Sequence, residues 1–410
     1  MTDATTQAVW SRNFIMVIAG QIISMFGNSI LRFALPLYIL EISGSAALFG
    51  SVMALSAIPM IIMSPIGGMV ADRVNKKRIM VALDFIAAAV VMAHTLSSGL
   101  TPVLPSAIIV LMALSSIQSM MGPAVDSSVP LLVPPSGLVR ANSVVFLIAA
   151  LAQMIGPAVG GILFAGFGLR AILVVSAVAL TLAAIMEMFI RIPNVKQETS
   201  ASVLAMVKDD MGKSLRFITK EEPVLARIGL ILLFLQVSLS AFAVIGIPVM
   251  ITQNLAMDER MVGIAQAVLA SGGIVGGVLA GVLGDRLRLQ STYLALLGGS
   301  LLLLPLALPF ILNAPYTITY AVLLTTTPII YAIVTISIIR IFAFIQLKTP
   351  EALLGKVVAL ITTLNVIGMP LGKFIFGLLF ERFTYTPHVV VLISVTLSAA
   401  NALFARKALS

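Results

Sequence analysis

Apolar residues in this chain come as long runs rather than as stripes. From Phe14 onward, runs with few charges alternate with short turns that carry Gly, Pro, Asn or a charged residue. About 20 apolar residues let an α-helix cross a hydrocarbon layer roughly 30 Å thick. Glycine, proline and charge are what end such a helix. The pattern predicts twelve spans, over 13–40, 46–70, 78–99, 104–126, 143–166, 169–191, 225–253, 260–283, 291–312, 316–346, 355–379 and 386–406. The expected fold is an all-α membrane protein with twelve transmembrane helices in two bundles of six. The bundles cover 1–191 and 225–410, and the longest polar stretch, 192–224, joins them.

Inside that stretch Val203, Val207, Met211, Leu215 and Ile218 recur at helical spacing, with Lys208, Lys213 and Lys220 off the stripe. This reads as an amphipathic helix lying on the membrane surface; a solvated linker is the alternative. The two bundles are also related by sequence. Gly68-x-x-x-Asp72-Arg73 recurs as Gly281-x-x-x-Asp285-Arg286, an offset of 281 − 68 = 213. The same offset carries Gly50 to Gly263, Val144 to Val357 and Pro157 to Pro370. Two pseudo-symmetric six-helix halves follow, and internal repeats in a polytopic chain point to a transporter core.

Composition agrees with the pattern: 60% of the 410 residues are hydrophobic and 10% are charged, against about a quarter charged in soluble domains. The net charge of +9 is placed rather than spread. With the N-terminus inside and the spans alternating, 19 Lys and Arg fall on inner loops and tails and three on outer loops. That is the positive-inside distribution, not a nucleic-acid surface. The expected location is the inner (cytoplasmic) cell membrane, multi-pass, with both termini cytoplasmic. The polar N-terminal segment carries no cleavable signal pattern, so the first run is taken as a permanent span. With no cysteine and two distant histidines, neither a thiolate nor a His-rich metal site is expected.

An ionisable residue inside a span is a candidate for function. Arg32 is the deepest, with Asn28 one turn and Gln21 three turns below it. A stripe of Gln21, Asn28 and Arg32 is expected to face a water-filled cavity rather than lipid. Asp84 is the candidate for proton coupling. Asp126 and Glu187 fall near inner ends, Arg340 near the inner surface, and Lys373 within reach of the surface by its long stem.

The turn "GGMVADRVNKKR" resembles the loop 2–3 signature of the major facilitator superfamily: Gly, three residues, Asp-Arg, one residue, Gly, then basic residues. Asn75 stands where the family has Gly, and Asn also tolerates left-handed backbone angles. "AQMIGPAVGG" is similar to the family's helix 5 motif of antiporters, through Gly156, Pro157, Gly160 and Gly161. "GNSILRFALPLYILEISGSA", "DSSVPLLVPPSGLVRANSV" and "LGKVVAL" resemble the drug-efflux branch that includes macrolide exporters. The resemblance implies a conformational switch made by Gly68, Asp72, Arg73, Lys77, Arg78, Asp126, Asp285 and Arg286, with Asp126 meeting Arg73 or Arg78. It also implies a cavity lined by helices 1, 4, 7 and 10. Their polar residues here are Gln21, Asn28, Arg32, Gln118, Gln236, Thr327, Tyr331, Thr335 and Arg340.

No Walker A motif, His-Glu cluster or nucleophilic triad is present, and "SGGIVGG" lies inside a span rather than in a dinucleotide site. The expectation is a secondary exporter of amphipathic small molecules: not an enzyme, without cofactor or metal, monomeric, proton-coupled, working by alternating access. The basic cavity residues favour neutral, zwitterionic or anionic cargo. A lipid or organic-anion carrier without proton coupling and a non-transporting receptor or scaffold are the alternatives.

Overall fold

The computed structural model describes residues 10–97, 100, 102–193, 215–283 and 292–409. Among the described residues every regular element is a helix. In chain order these are α1 (Arg12–Ser43), α2 (Ala46–Leu55), α3 (Ala57–Arg73), α4 (Lys76–Ser97), α5 (Val103–Leu132) and α6 (Leu138–Met188). After the linker come α7 (Pro223–Leu235), α8 (Glu259–Leu283), α9 (Thr292–Leu301), α10 (Leu304–Ile311), α11 (Tyr316–Lys348), α12 (Glu351–Arg382) and α13 (Pro387–Leu409).

Prolines explain the breaks. α2 and α3 form one span interrupted at Ser56, and Pro59 lies just beyond. A proline cannot donate its amide and its ring crowds the carbonyl one turn back. Pro305 stands in the same relation to the break between α9 and α10. The longest apolar element, Pro135–Met188, has 54 residues. At 1.5 Å per residue it would extend about 80 Å, far more than a bilayer accommodates. It reverses at Gly168, whose φ of 71° and ψ of 176° are non-helical and suit a residue without Cβ. The sequence pattern places this break between 166 and 169; with it, the eleven apolar elements among the described residues supply twelve lengths able to cross a membrane.

The chain divides into two compact units. The first comprises Met1–Ser43, Leu55–Thr199 and Asp258–Ala267; the second comprises Gly44–Ala54, Ser200–Met257 and Val268–Ser410. In the first unit α6 packs on α1 and α4, and α5 packs on α3 and α4. Its apolar core includes Phe14, Ile18, Val129, Val133, Ala141 and Ile148. In the second unit α7 packs on α12 and α13, and α9 packs on α11 and α13. Phe242 anchors this core against Phe376, edge to face at 5.8 Å, and against Phe380 at 6.1 Å.

Within a bilayer, helices associate by close packing rather than by hydrophobic exclusion, so small residues mark the seams. On α8, a methyl on Gly276 would stand 2.5 Å from the Ala332 carbonyl oxygen of α11, and Gly272 lies against Pro328. Gly272, Gly273 and Gly276 of "SGGIVGG" therefore form a helix seam with α11. Of the residues expected to form an amphipathic helix in the linker, Val203, Val207, Lys208, Met211 and Lys213 lie outside the described residues; Leu215 is exposed and Ile218 is buried.

Candidate functional site

The polar stripe of α1 is tied by hydrogen bonds to α4, α5 and α6, and most of it does not face open water. Gln21 and Asn28 are 5% and 6% exposed. Gln21 Nε2 donates to Glu187 Oε1 at 3.2 Å, and Ser24 Oγ donates to Asp84 Oδ1 at 2.8 Å. Asn28 Nδ2 returns to the Ser24 carbonyl at 3.1 Å. Gln21 and Ser24 point into the bundle, towards carboxylates carried by α6 and α4. The reason is chemical: Asp84 and Glu187 cannot be buried in an apolar core without donors, and α1 supplies them. Arg32 is the exception on the stripe. It is half-buried and its Nη1 reaches Ser115 Oγ of α5 at 3.2 Å. Gln118, one turn beyond Ser115, is also half-buried.

The turn between α3 and α4 is short because Val74 leaves the helix with extended angles (φ −106°, ψ 150°) while its amide still donates to the Val70 carbonyl. Asn75 does not take a left-handed conformation. Its Oδ1 accepts the Lys77 amide at 3.0 Å, so it caps α4. Close packing before the turn falls at Gly67, where a methyl would lie 2.7 Å from the Met120 Cα of α5; Gly68 faces open space. Arg73 and Arg78 are exposed, and Lys77 is half-exposed. Asp126 is exposed as well, and no ion pair joins it to Arg73 or Arg78 among the described residues. The Asp72 side chain, Asp285 and Arg286 lie outside the described residues.

In the second unit the span Pro223–Asn254 is wound partly as π-helix, over Gln236–Ser240, Phe242–Gly246 and Met250–Asn254. Wide turns of this type change which side chains face a neighbour and often mark functional sites. Here they form one wall of an apolar pocket with Ser240, Phe242 and Ile247, closed by Leu269 of α8 and by Thr327, Tyr331 and Val334 of α11. Thr327 is buried; Tyr331 is 38% exposed, with its ring lying across Gly273 of α8. Thr335 is half-exposed one turn further, and its hydroxyl is turned back on the Tyr331 carbonyl at 2.8 Å. Gln236 is not in this pocket: its Nε2 donates to Asn365 Oδ1 of α12 at 2.9 Å. Arg340 is half-buried about one and a half turns beyond Thr335.

The helix 5 motif is a packing surface. Gly156 admits the Ser29 side chain of α1, whose hydroxyl donates to the Ala152 carbonyl at 2.8 Å. Gly160 receives Phe33, and Gly161 approaches Gly263.

Sequence reasoning named Asp84 but gave Glu187 no role in the site, and Ser24 and Asn365 were missed. An acidic residue in an apolar run was a usable signal for Glu187. Nothing in the sequence pairs it with Gln21, 166 positions earlier. Lys373, expected to reach the surface, is 4% exposed.

A Major Facilitator Superfamily model matches residues 17–373. Macrolide efflux protein A of Streptococcus pyogenes is 24% identical over 382 residues, which covers 91% of this chain and 90% of that protein. Multidrug efflux pump Tap of Mycobacterium tuberculosis is 24% identical over 369 residues, covering 88% and 85%. The solved structure of nucleoside transporter NupG superposes with a TM-score of 0.77 at 13% identity, covering 98% of this chain and all of that one.

Proposed function

The chain belongs to the major facilitator superfamily and is a membrane transporter, and we propose that it exports amphipathic, drug-like small molecules by alternating access, driven by the proton gradient. The moving parts are two six-helix bundles, 1–191 and 225–410, joined by the polar segment 192–224. The observation that carries the cargo class is the pocket on the π-helical turns of the second unit. Its walls are Leu, Ile, Val and Phe, and its polar groups are few: Ser240, Thr327 and Tyr331. Sites of this composition hold apolar bodies and orient them through a small number of hydrogen bonds. The free space is small, about 20 Å³. Drug-sized pockets are on the order of 300 Å³ or more, so Tyr331 must swing off Gly273 to admit cargo.

Export as the direction draws on the printed names of the two efflux relatives, at 24% identity. Proton coupling draws on Asp84, a carboxylate held inside the first unit at 1% exposure. Labelled erythromycin, a macrolide, is the probe. Protein reconstituted into liposomes with an imposed pH gradient is expected to move it against its concentration gradient, and a protonophore is expected to abolish that movement. Flux that ignores the pH gradient would remove proton coupling. Absence of erythromycin flux in either direction would remove the cargo assignment.

A further inference from the structure

The feature of the first unit that the fold does not require is a pair of acids. Asp84 of α4 and Glu187 of α6 are 1% and 0% exposed. They lie within electrostatic range of each other. One oxygen of each is held by α1, through Ser24 and Gln21. The other two, Asp84 Oδ2 and Glu187 Oε2, are buried with no hydrogen-bond partner among the described residues. α1 comes close here because residue 20 is glycine: a methyl at Gly20 would stand 3.2 Å from Glu187 Cγ.

The charges around the pair do not neutralise it. The packed elements carry Arg12, Arg32 and Glu41 on α1, Lys76, Lys77, Arg78 and His94 on α4, Asp126 on α5, and Arg140 and Arg170 on α6, with Arg191 just beyond. None of these makes an ion pair or hydrogen bond with Asp84 or Glu187 among the described residues. His94 is nearly three turns along α4, in a separate cavity with Tyr38 and Arg170. An unpaired buried ion is strongly unfavourable, and two like ions near each other are more so. The orphaned oxygens call for a hydrogen between them, and a proton is the smallest ligand that supplies one.

We propose that Asp84 and Glu187 together form one proton-carrying site, set behind α1, and that α1 conveys its occupancy to the cargo pathway. The site deepens the proton-driven reading above and rests on it. The pair takes up one proton from water on one side, as a carboxylate becomes a carboxylic acid, and returns it on the other. Two interacting carboxyls bind that proton as a unit rather than as separate residues. With the proton in place, one carboxyl donates to the other and the site closes dry. When the proton leaves, two uncompensated anions remain and water must enter, which parts α1 from α4 and α6. The relay runs along α1: Ser24 holds Asp84, Asn28 holds the Ser24 carbonyl, and Arg32 one turn on holds Ser115 of α5.

Asp84→Asn and Glu187→Gln keep the shape of the protonated acids and remove the titration. Two measurements on reconstituted protein test the site. The first is pH-gradient-driven accumulation of erythromycin; the second is erythromycin counterflow with no gradient. Each single variant is expected to lose at least tenfold of the driven accumulation while counterflow persists. A third measurement uses purified protein in weakly buffered detergent with a pH-indicator dye. Erythromycin is expected to release protons from wild type and not from either variant. Driven accumulation or proton release that survives in both variants would overturn the site. Loss of counterflow in both would also overturn it, because the acids would then be structural. If wild type itself shows no gradient-driven accumulation, the proton-driven reading fails first, a result distinct from either of these.

Discussion

Gly276 of α8 and Ala332 of α11 meet backbone to backbone: a methyl on the glycine would lie 2.5 Å from the Ala332 carbonyl oxygen and 2.8 Å from its Cα. Neither atom is the end of a flexible side chain, so the helices themselves must move apart. Gly276→Val is expected to destabilise the protein by about 1–3 kcal/mol, the usual effect of overpacking. Thermal unfolding in detergent reads it as a lowered midpoint. Gly277→Val is the control, because Gly277 meets nothing within 4 Å.

Two adjacent glycines before the α3–α4 turn are expected to behave in opposite ways. A methyl at 67 collides with the Met120 backbone, whereas one at 68 enters open space. Gly67→Ala should lower the unfolding midpoint. Gly68→Ala should be neutral or raise stability by about 0.5–1 kcal/mol, since alanine is the better helix former. If Gly68→Ala keeps its stability but abolishes erythromycin flux, Gly68 serves the conformational change; unchanged flux removes it from the switch.

Tyr331 and Thr327 contribute the α11 polar groups of the pocket. Tyr331→Phe and Thr327→Val should each weaken erythromycin binding by up to about tenfold, the effect of a lost hydrogen bond of about 1 kcal/mol. Tyr331→Ala, which clears the ring from Gly273, should enlarge the pocket and broaden the range of dyes bound. Titration calorimetry or dye fluorescence on purified protein measures both.

Arg32 places a fixed positive charge on α1 next to Ser115. Arg32→Gln should raise the ratio of binding constants for cationic over anionic amphiphiles by about tenfold, the scale of one charge interaction that is partly screened by solvent. Unchanged selectivity would show that the cargo does not sense this charge.

Much of the architecture was written in the hydrophobic runs. A span needs only length and apolarity, and Pro59, Gly168 and Pro305 mark their breaks by backbone chemistry that does not depend on neighbours. The site was less legible, because periodicity says which residues share a face and not what that face meets. Gln21, Asn28 and Arg32 were expected to look onto water. Gln21 turns inward to the acid that α6 brings to it, a long-range fact, and Asn28 is tied back to the Ser24 carbonyl of its own helix. Asn75 misled for a local reason: two residue properties, left-handed tolerance and capping, compete at one position, and capping won. The helix 7 pocket was only half visible, since π-turns leave no compositional mark; Thr327 and Tyr331 were placed by their helix, whereas Gln236 was rotated away to Asn365.

The reversal at Gly168 acts at a distance. Glu187 stands nineteen positions downstream (187 − 168 = 19), roughly 28 Å along a helix at 1.5 Å per residue. One pair of dihedral angles therefore aims a lever whose far tip carries an acid. A small angular error at the fulcrum is magnified along that arm, so a bulkier residue at 168 would register first as a misaligned contact at Gln21 and only afterwards as damage to the hinge itself.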